Sequence, residues 1–308
     1  MKTSILCVGQ LVADIVVRPV DSMPPVGRTR PVEEIELFSG GCAANTAAVL
    51  AKLGADARLA ALIGRDALGD AALADQAAAG VDVSAVVRCG DFRTSAAIVV
   101  VDGAGQRSFY YRAGSLEKMA NRHVPDDALK TARLVHVGGA MKMLELDLAE
   151  LMARAKSFGC ATSLDTDWDI YGNWMKKVGP ALPTIDYLIT NEEEAAMLSG
   201  KKAPADAARE LLTHGPEAVA VKRGEKGALL ATRDGVREFH AYRVEVRDTT
   251  CAGDAFAAGF ILGAASGRPL DESVRLGNAA GALCTTALSH RGVSSFEAVR
   301  RLVEEQIG

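Results

Sequence analysis

The chain has 308 residues, of which 49% are hydrophobic, 24% charged and only 5% aromatic. That is enough for one large α/β domain with a small appendage, and too apolar for a disordered chain. A formal net charge of −4 with no basic stripe argues against general nucleic-acid or anionic-membrane binding, though a local basic pocket remains possible.

Residues 5–8 read as a buried first strand ending at Gly9, with Asp14 just beyond its carboxyl end. From Asp14 to Leu37 the chain is β-like and broken by Pro19, Pro24, Pro25 and Pro31. Gly40-Gly41 then precede a small-residue helix over 42–53, closed by Gly54. A strand over 58–63 and a helix over 68–79, closed by Gly80, continue the alternation expected of an α/β fold.

The alternation breaks between 81 and 112. Residues 94–101 and 106–111 predict a hairpin about Asp102-Gly103. With the segment after Asp14 it could form a small sheet lying over a site as a lid, or extend the main sheet as extra edge strands. Regular alternation resumes with a strand at 134–137, a helix at 144–156, strands at 161–164 and 187–189, helices at 192–198 and 205–212, and a strand at 218–222. A hairpin around Asp234-Gly235 follows, then helices over 252–264, 273–288 and 296–306.

The six cysteines (Cys7, Cys42, Cys89, Cys160, Cys251 and Cys284) form no CxxC pair and sit mostly among apolar or small residues. That is the pattern of reduced core residues, and it predicts a cytoplasmic protein. Five scattered histidines make no metal constellation, and no apolar run reaches membrane-spanning length. The short basic start leads straight into the first strand, with no separate cleavable apolar segment.

The most informative run is Asp248-Thr249-Thr250-Cys251-Ala252-Gly253-Asp254-Ala255-Phe256. The first N–H groups of a helix lack intrahelical partners and, aided by the helix dipole, attract phosphate oxygens. Cys251, Ala252 and Gly253 offer such groups with little side-chain bulk. Asp254 falls in the first turn, where the dipole favours its ionised form and predicts a weak base, suited to a phosphoryl transfer whose main demand is electrostatic. The plainer reading is a favourable first-turn acid. Upstream, Gly40 and Gly41 permit close backbone approach, and Asn45, one turn later, offers a donor and an acceptor to a diol. Neither a GxxxxGK[ST] run nor a GxGxxG run occurs.

Taken together, these segments resemble the ribokinase-like carbohydrate kinase family, also called PfkB, over essentially the whole chain. The 248–256 run is similar to that family's C-terminal motif, although many members carry glycine or alanine where this chain has Cys251. Ser39-Gly40-Gly41-Cys42-Ala43-Ala44-Asn45 resembles its diglycine sugar-binding segment. Gly64-Arg65-Asp66-Ala67-Leu68-Gly69 resembles its N-terminal motif, which we read first as a turn and helix entry.

The resemblance implies a three-layer α/β/α fold with a central, mostly parallel sheet and a small β lid. The expected arrangement is a single domain over 1–308, with a discontinuous lid from about 14–38 and 91–113. It further implies Asp254 as base, Cys251, Ala252 and Gly253 as anion hole, and Asp14, Gly40, Gly41 and Asn45 as acceptor site. Asn191 and Glu194 match an Asn-x-x-Glu motif that organises hydrated Mg2+ and phosphates, the metal being reached from Glu194 through water. Lys222, Gly224, Gly227 and Asn278 are expected on the ATP side.

Asp248 and backbone oxygens around Thr250 and the 288–294 loop could surround K+, or His290 or Arg291 could partly replace it. The implied activity is ATP-dependent phosphorylation of a sugar or sugar acid by a homodimeric enzyme. The alternatives are a nucleoside kinase, with Phe109, Tyr110 and Tyr111 stacking on a base, or a non-catalytic sugar or nucleotide sensor.

Overall fold

A computed structural model describes residues 3–306. Its main sheet contains β1 (Ser4–Gly9), β4 (Asp56–Ala60), β9 (Leu134–Gly138), β10 (Ala161–Asp165), β11 (Tyr187–Asn191), β12 (Ala218–Lys222), β13 (Ala228–Thr232) and β14 (Gly235–Phe239). The order across the sheet is β14-β13-β12-β11-β10-β9-β1-β4. Every pairing from β4 to β12 is parallel, and the final hairpin adds two antiparallel strands.

Both faces of this sheet are covered, as parallel sheets require. Along β1 the side chains alternate. Ile5 and Cys7 pack with helices Cys42–Lys52, Ala252–Ala265, Leu270–Cys284 and Phe296–Gln306, while Leu6 and Val8 pack with helices Leu148–Ser157, Glu192–Ser199 and Pro204–Leu212. The result is a three-layer α/β/α sandwich.

A second sheet, order β3-β2-β7-β8, is built from β2 (Val12–Arg18), β3 (Glu34–Gly40), β7 (Ala96–Val101) and β8 (Arg107–Arg112). This is the lid. Asp14 lies within a lid strand, paired with Phe38 and Ala97. The expected strand over 58–63 is broken at Ala61. Its second part, β5 (Leu62–Gly64), leaves the main sheet to pair with β6 (Val87–Cys89).

Asp66 enters its helix as anticipated, accepting from the Gly69 N–H at 3.0 Å. Its carboxylate also takes the Thr94 N–H at 3.0 Å, which fixes the lid's base to that turn. The helix expected at 144–156 starts at Leu148, where the Asp147 carboxylate caps the Glu150 N–H. The one expected over 273–288 runs from Leu270 to Cys284. Among the described residues no helix is long and apolar enough to cross a membrane.

Candidate active site

The carboxyl ends of the parallel strands mark where an open α/β sheet binds ligands. Gln10 follows β1 there, Gly138 ends β9, Asp165 ends β10, Asn191 ends β11 and Lys222 ends β12. The helix Ala252–Ala265 begins above this edge, beside the helix Cys42–Lys52. Asn45 Nδ2 donates to Asp254 Oδ2 at 2.8 Å, and the Thr46 hydroxyl donates to the Asp254 carbonyl at 3.3 Å. Two segments more than 200 residues apart thus meet at one carboxylate.

Cys251 precedes the helix in a left-handed conformation, φ 63°. A glycine takes this conformation without strain, and a cysteine carries a cost. The turn aims the next amides outward. The Ala252 N–H is partly used, in a long 3.4 Å bond to the Thr249 carbonyl. Those of Gly253 and Asp254, in the first turn, have no intrahelical acceptor. Lys222 stands beside them, for a Cβ built on Gly253 would lie 3.3 Å from its Nζ. Its ammonium bonds both oxygens of Asp165, at 2.6 and 2.8 Å. Burial works against the Lys222 charge, but Asp165, Glu194 and Asp254 outweigh it and hold its pKa above the usual lysine value.

Asp254 departs from its expected electrostatics. Burial pushes its pKa up to about 6, against the lowering effects of Asn45, Lys222 and Cys42. Desolvation prevails over them, and Asp254 is a stronger base than its first-turn place suggested. Asp14 is likewise raised to about 6, by burial and then by Asp254. Gly40 makes room for it, since a Cβ there would sit 1.9 Å from Asp14 Oδ2. Gly41, at φ 97°, lets the chain turn against the Gln10 carbonyl, 2.6 Å from where a Cβ would lie. Asp14, Gly40, Asn45 and Cys251 line one cavity of about 710 Å³ beneath the lid. The Asn45 Oδ1 is buried without a partner.

One cluster of this region escaped sequence reasoning. Asp167 accepts from Gln10 Nε2 at 2.8 Å, the Met141 N–H at 2.9 Å and Lys142 Nζ at 2.6 Å. Its members come from the ends of β1, β9 and β10 and share no local motif. Only the strand order unites them.

On the far side, Asn191 and Glu194 form a reciprocal capping box. Asn191 Oδ1 accepts from the Glu194 N–H at 2.8 Å, and Glu194 Oε2 accepts from the Asn191 N–H at 3.3 Å. The Thr166 hydroxyl also donates to Oε2, at 2.8 Å. Gly224 opens the turn after β12 at φ 57°, whereas Gly227 backs onto the Phe239 carbonyl, a packing role. Asn278 lies apart from the cavity, its amide bonded to the His240 carbonyl at 3.1 Å and the Phe239 carbonyl at 3.4 Å.

Of the two side chains that could partly replace a cation near Asp248, neither is its ion-pair partner among the described residues. His290 is pushed down to about 4 by burial and Lys52, so it is neutral. Arg291 faces the lid ring of Phe38. The guanidinium next to Asp248 is that of Arg107, at 3.7 Å. Among the described residues no group of three His, Cys, Asp or Glu is placed to hold a metal.

The chain is similar to known proteins along nearly its whole length. An ATP-dependent ribose-1-phosphate kinase of Halopiger xanaduensis is 29% identical, with 98% of each chain covered. A 2-dehydro-3-deoxygluconokinase of Bacillus subtilis is 28% identical over 90% of this chain and 93% of its own. The crystal structure of a ribokinase from Thermotoga maritima superposes with a TM-score of 0.80 at 26% identity, over 98% of this chain and 99% of that one. The pfkB family carbohydrate kinase model matches residues 2–295, and the chain belongs to that family.

Proposed function

We propose that the protein transfers the terminal phosphoryl group of ATP to a hydroxyl of a small sugar or sugar acid. The observation that carries this reading is the meeting of Asn45 and Asp254 at the start of the 252–265 helix. A base raised to about 6 and helix amides without intrahelical acceptors stand there, next to Asn45 and Cys251, which line the covered cavity.

In this reading Asp254 accepts the acceptor's hydroxyl proton, with a pKa close to the working pH. The amides of Gly253 and Asp254, with Lys222 behind them, stabilise the charge on the moving phosphoryl group. Asp14 accepts hydrogen bonds from acceptor hydroxyls beside Gly40 and Gly41. The unpartnered Asn45 Oδ1 takes another, which removes the cost of leaving it bare.

The donor set at Asn191 and Glu194 suits hydrated Mg2+, because the hydrogen bonds of Glu194 converge on Oε2. Bound there, Mg2+ neutralises phosphate charge. Lys222 and the turn at Gly224 would then flank the nucleotide. Backbone oxygens around Thr250 and the 288–294 turn are the candidate ligands for a monovalent cation, with Arg107 competing for Asp248.

A nucleoside acceptor is the second reading, favoured by Phe109, which lines the cavity. Tyr111 shares its face of β8, whereas Tyr110 alternates to the outer face and cannot serve. That outer face exposes Ile35, Leu37, Ile98 and Tyr110, and we assign it to a second copy of the chain in a homodimer, testable by light scattering.

The deciding experiment incubates the protein with Mg-ATP and a panel of ribose, fructose, 2-keto-3-deoxygluconate and inosine. ADP release is followed and the product identified. A phosphorylated sugar supports the first reading and phosphorylated inosine the second. Binding without transfer to any acceptor would make the protein a sensor and end the kinase reading.

A further inference from the structure

Asp248 joins two segments. Its Oδ1 accepts from the Thr250 N–H at 2.9 Å and the Thr250 hydroxyl at 2.6 Å, and its Oδ2 accepts from the Ser289 N–H at 3.3 Å. One carboxylate thus ties the approach to the 252–265 helix to the turn that follows the 270–284 helix.

Both edges of the lid reach this junction. In the order β3-β2-β7-β8, the outer strands are β3 and β8. From β8, Arg107 Nη1 donates to the Thr250 hydroxyl and Nη2 donates to the Thr249 hydroxyl at 3.1 Å. At the other edge, Arg291 comes two residues after Ser289. It sets its guanidinium 4.7 Å from the Phe38 ring centroid and 3.6 Å from Glu36, both on β3.

The residue type matters at 107. A guanidinium fork satisfies two acceptors at once from a preorganised plane, and a lysine ammonium on a flexible stem does so poorly. Thr250 immediately precedes Cys251, whose left-handed turn aims the helix amides. Whatever holds Thr249 and Thr250 therefore sets the direction of those amides. The register Asp14–Ala97–Tyr111 runs across the same sheet, so a lid movement carries Asp14 and Arg107 together.

We infer that Arg107 is a positioning residue, a lid-borne latch that fixes Thr249 and Thr250, and through them the amides at the helix start, when the lid covers the acceptor. Its catalytic consequence rests on the kinase reading, but the latch itself does not. Arg291 steadies the opposite edge.

The test compares the full chain with Arg107→Lys and Arg107→Ala. The first measurement is hydrogen exchange followed by mass spectrometry, without substrate. In Arg107→Ala, amides in 248–253 should exchange about 10-fold faster, while those of β9 stay as in the parent. Unchanged exchange at 248–253 overturns the latch, whatever the protein's activity.

The second measurement is steady-state kinetics. Arg107→Ala should lose on the order of 10²-fold in kcat with the ATP KM nearly unchanged. Arg107→Lys should fall between, and free guanidinium ion should restore part of the Arg107→Ala turnover. A folded Arg107→Ala with parental kcat overturns the inference, and so does a loss that guanidinium leaves untouched. A parent that transfers no phosphate counts against the kinase reading alone, and hydrogen exchange still decides the latch.

Discussion

Asn45 Nδ2 lies 2.8 Å from Asp254 Oδ2, a bond between the opening turns of two helices. It sets the orientation of the carboxylate and moderates the pKa that burial raises to about 6. Because Asp254 must be deprotonated to act, kcat/KM should fall as pH drops through about 6. A pH profile checks this, and a profile flat from pH 8 to about 5 would contradict the raised base.

Stability should run the other way. The folded pKa of Asp254 stands above its unfolded value, so the fold binds the proton more tightly. The associated stability is full below the ordinary carboxylate range and is lost as pH rises through about 6. Asp254→Asn removes that cost. It should melt a few degrees above the parent at pH 8, by about 2–5 °C, with the gap closing toward pH 5. Calorimetry of both proteins across this range is the measurement.

Asn45→Ala removes a hydrogen bond that lowers the Asp254 pKa. The acid limb of the pH profile should shift upward, by less than about one unit, and kcat/KM at pH 8 should fall about 10- to 100-fold. An unshifted limb would mean that the contact does not tune the base.

Gly40→Ala tests the acceptor side. The new Cβ would lie 1.9 Å from Asp14 Oδ2, so the carboxylate must move. A displacement of this size should cost on the order of 10²-fold in kcat/KM for the acceptor and leave ATP binding as it was. Separate titrations of acceptor and ATP distinguish the two effects.

Lys222→Met leaves Asp165, 2% exposed, without its partner. Breaking a buried pair this way should destabilise by about 3–5 kcal/mol, and adding Asp165→Leu should recover most of that. Denaturant melts of the single and double variants measure it. Activity should stay low in both, because the charge beside Gly253 is gone.

Most of this fold was legible in the sequence because the strands and helices alternate and glycines close them. The end of β4 was not. Ala61 reads as mid-strand, and only the pairing of Leu62–Gly64 with Val87–Cys89 pulls the chain out of the main sheet.

At the site, the segments whose candidate residues lie close together in the chain were readable, namely Gly40-Gly41 with Asn45 and the run from Asp248 to Asp254, and the structure brings the two together. Gln10, Asp167 and Lys142 meet only through strand order, and Arg107 reaches Thr249 and Thr250 only because the lid folds over the cavity. The first-turn position of Asp254 can be read from the sequence, whereas its desolvation depends on everything packed around it.

The most direct test of the central claim is phosphoryl transfer by Asp254→Asn, measured with the acceptor that the parent phosphorylates. The fold is verified by circular dichroism and nucleotide binding by calorimetry. If Asp254 is the base at a helix start that holds the transferred phosphate, turnover should drop by at least ~10³-fold while ATP still binds. Turnover comparable with the parent, in a folded variant that binds ATP, would contradict the account.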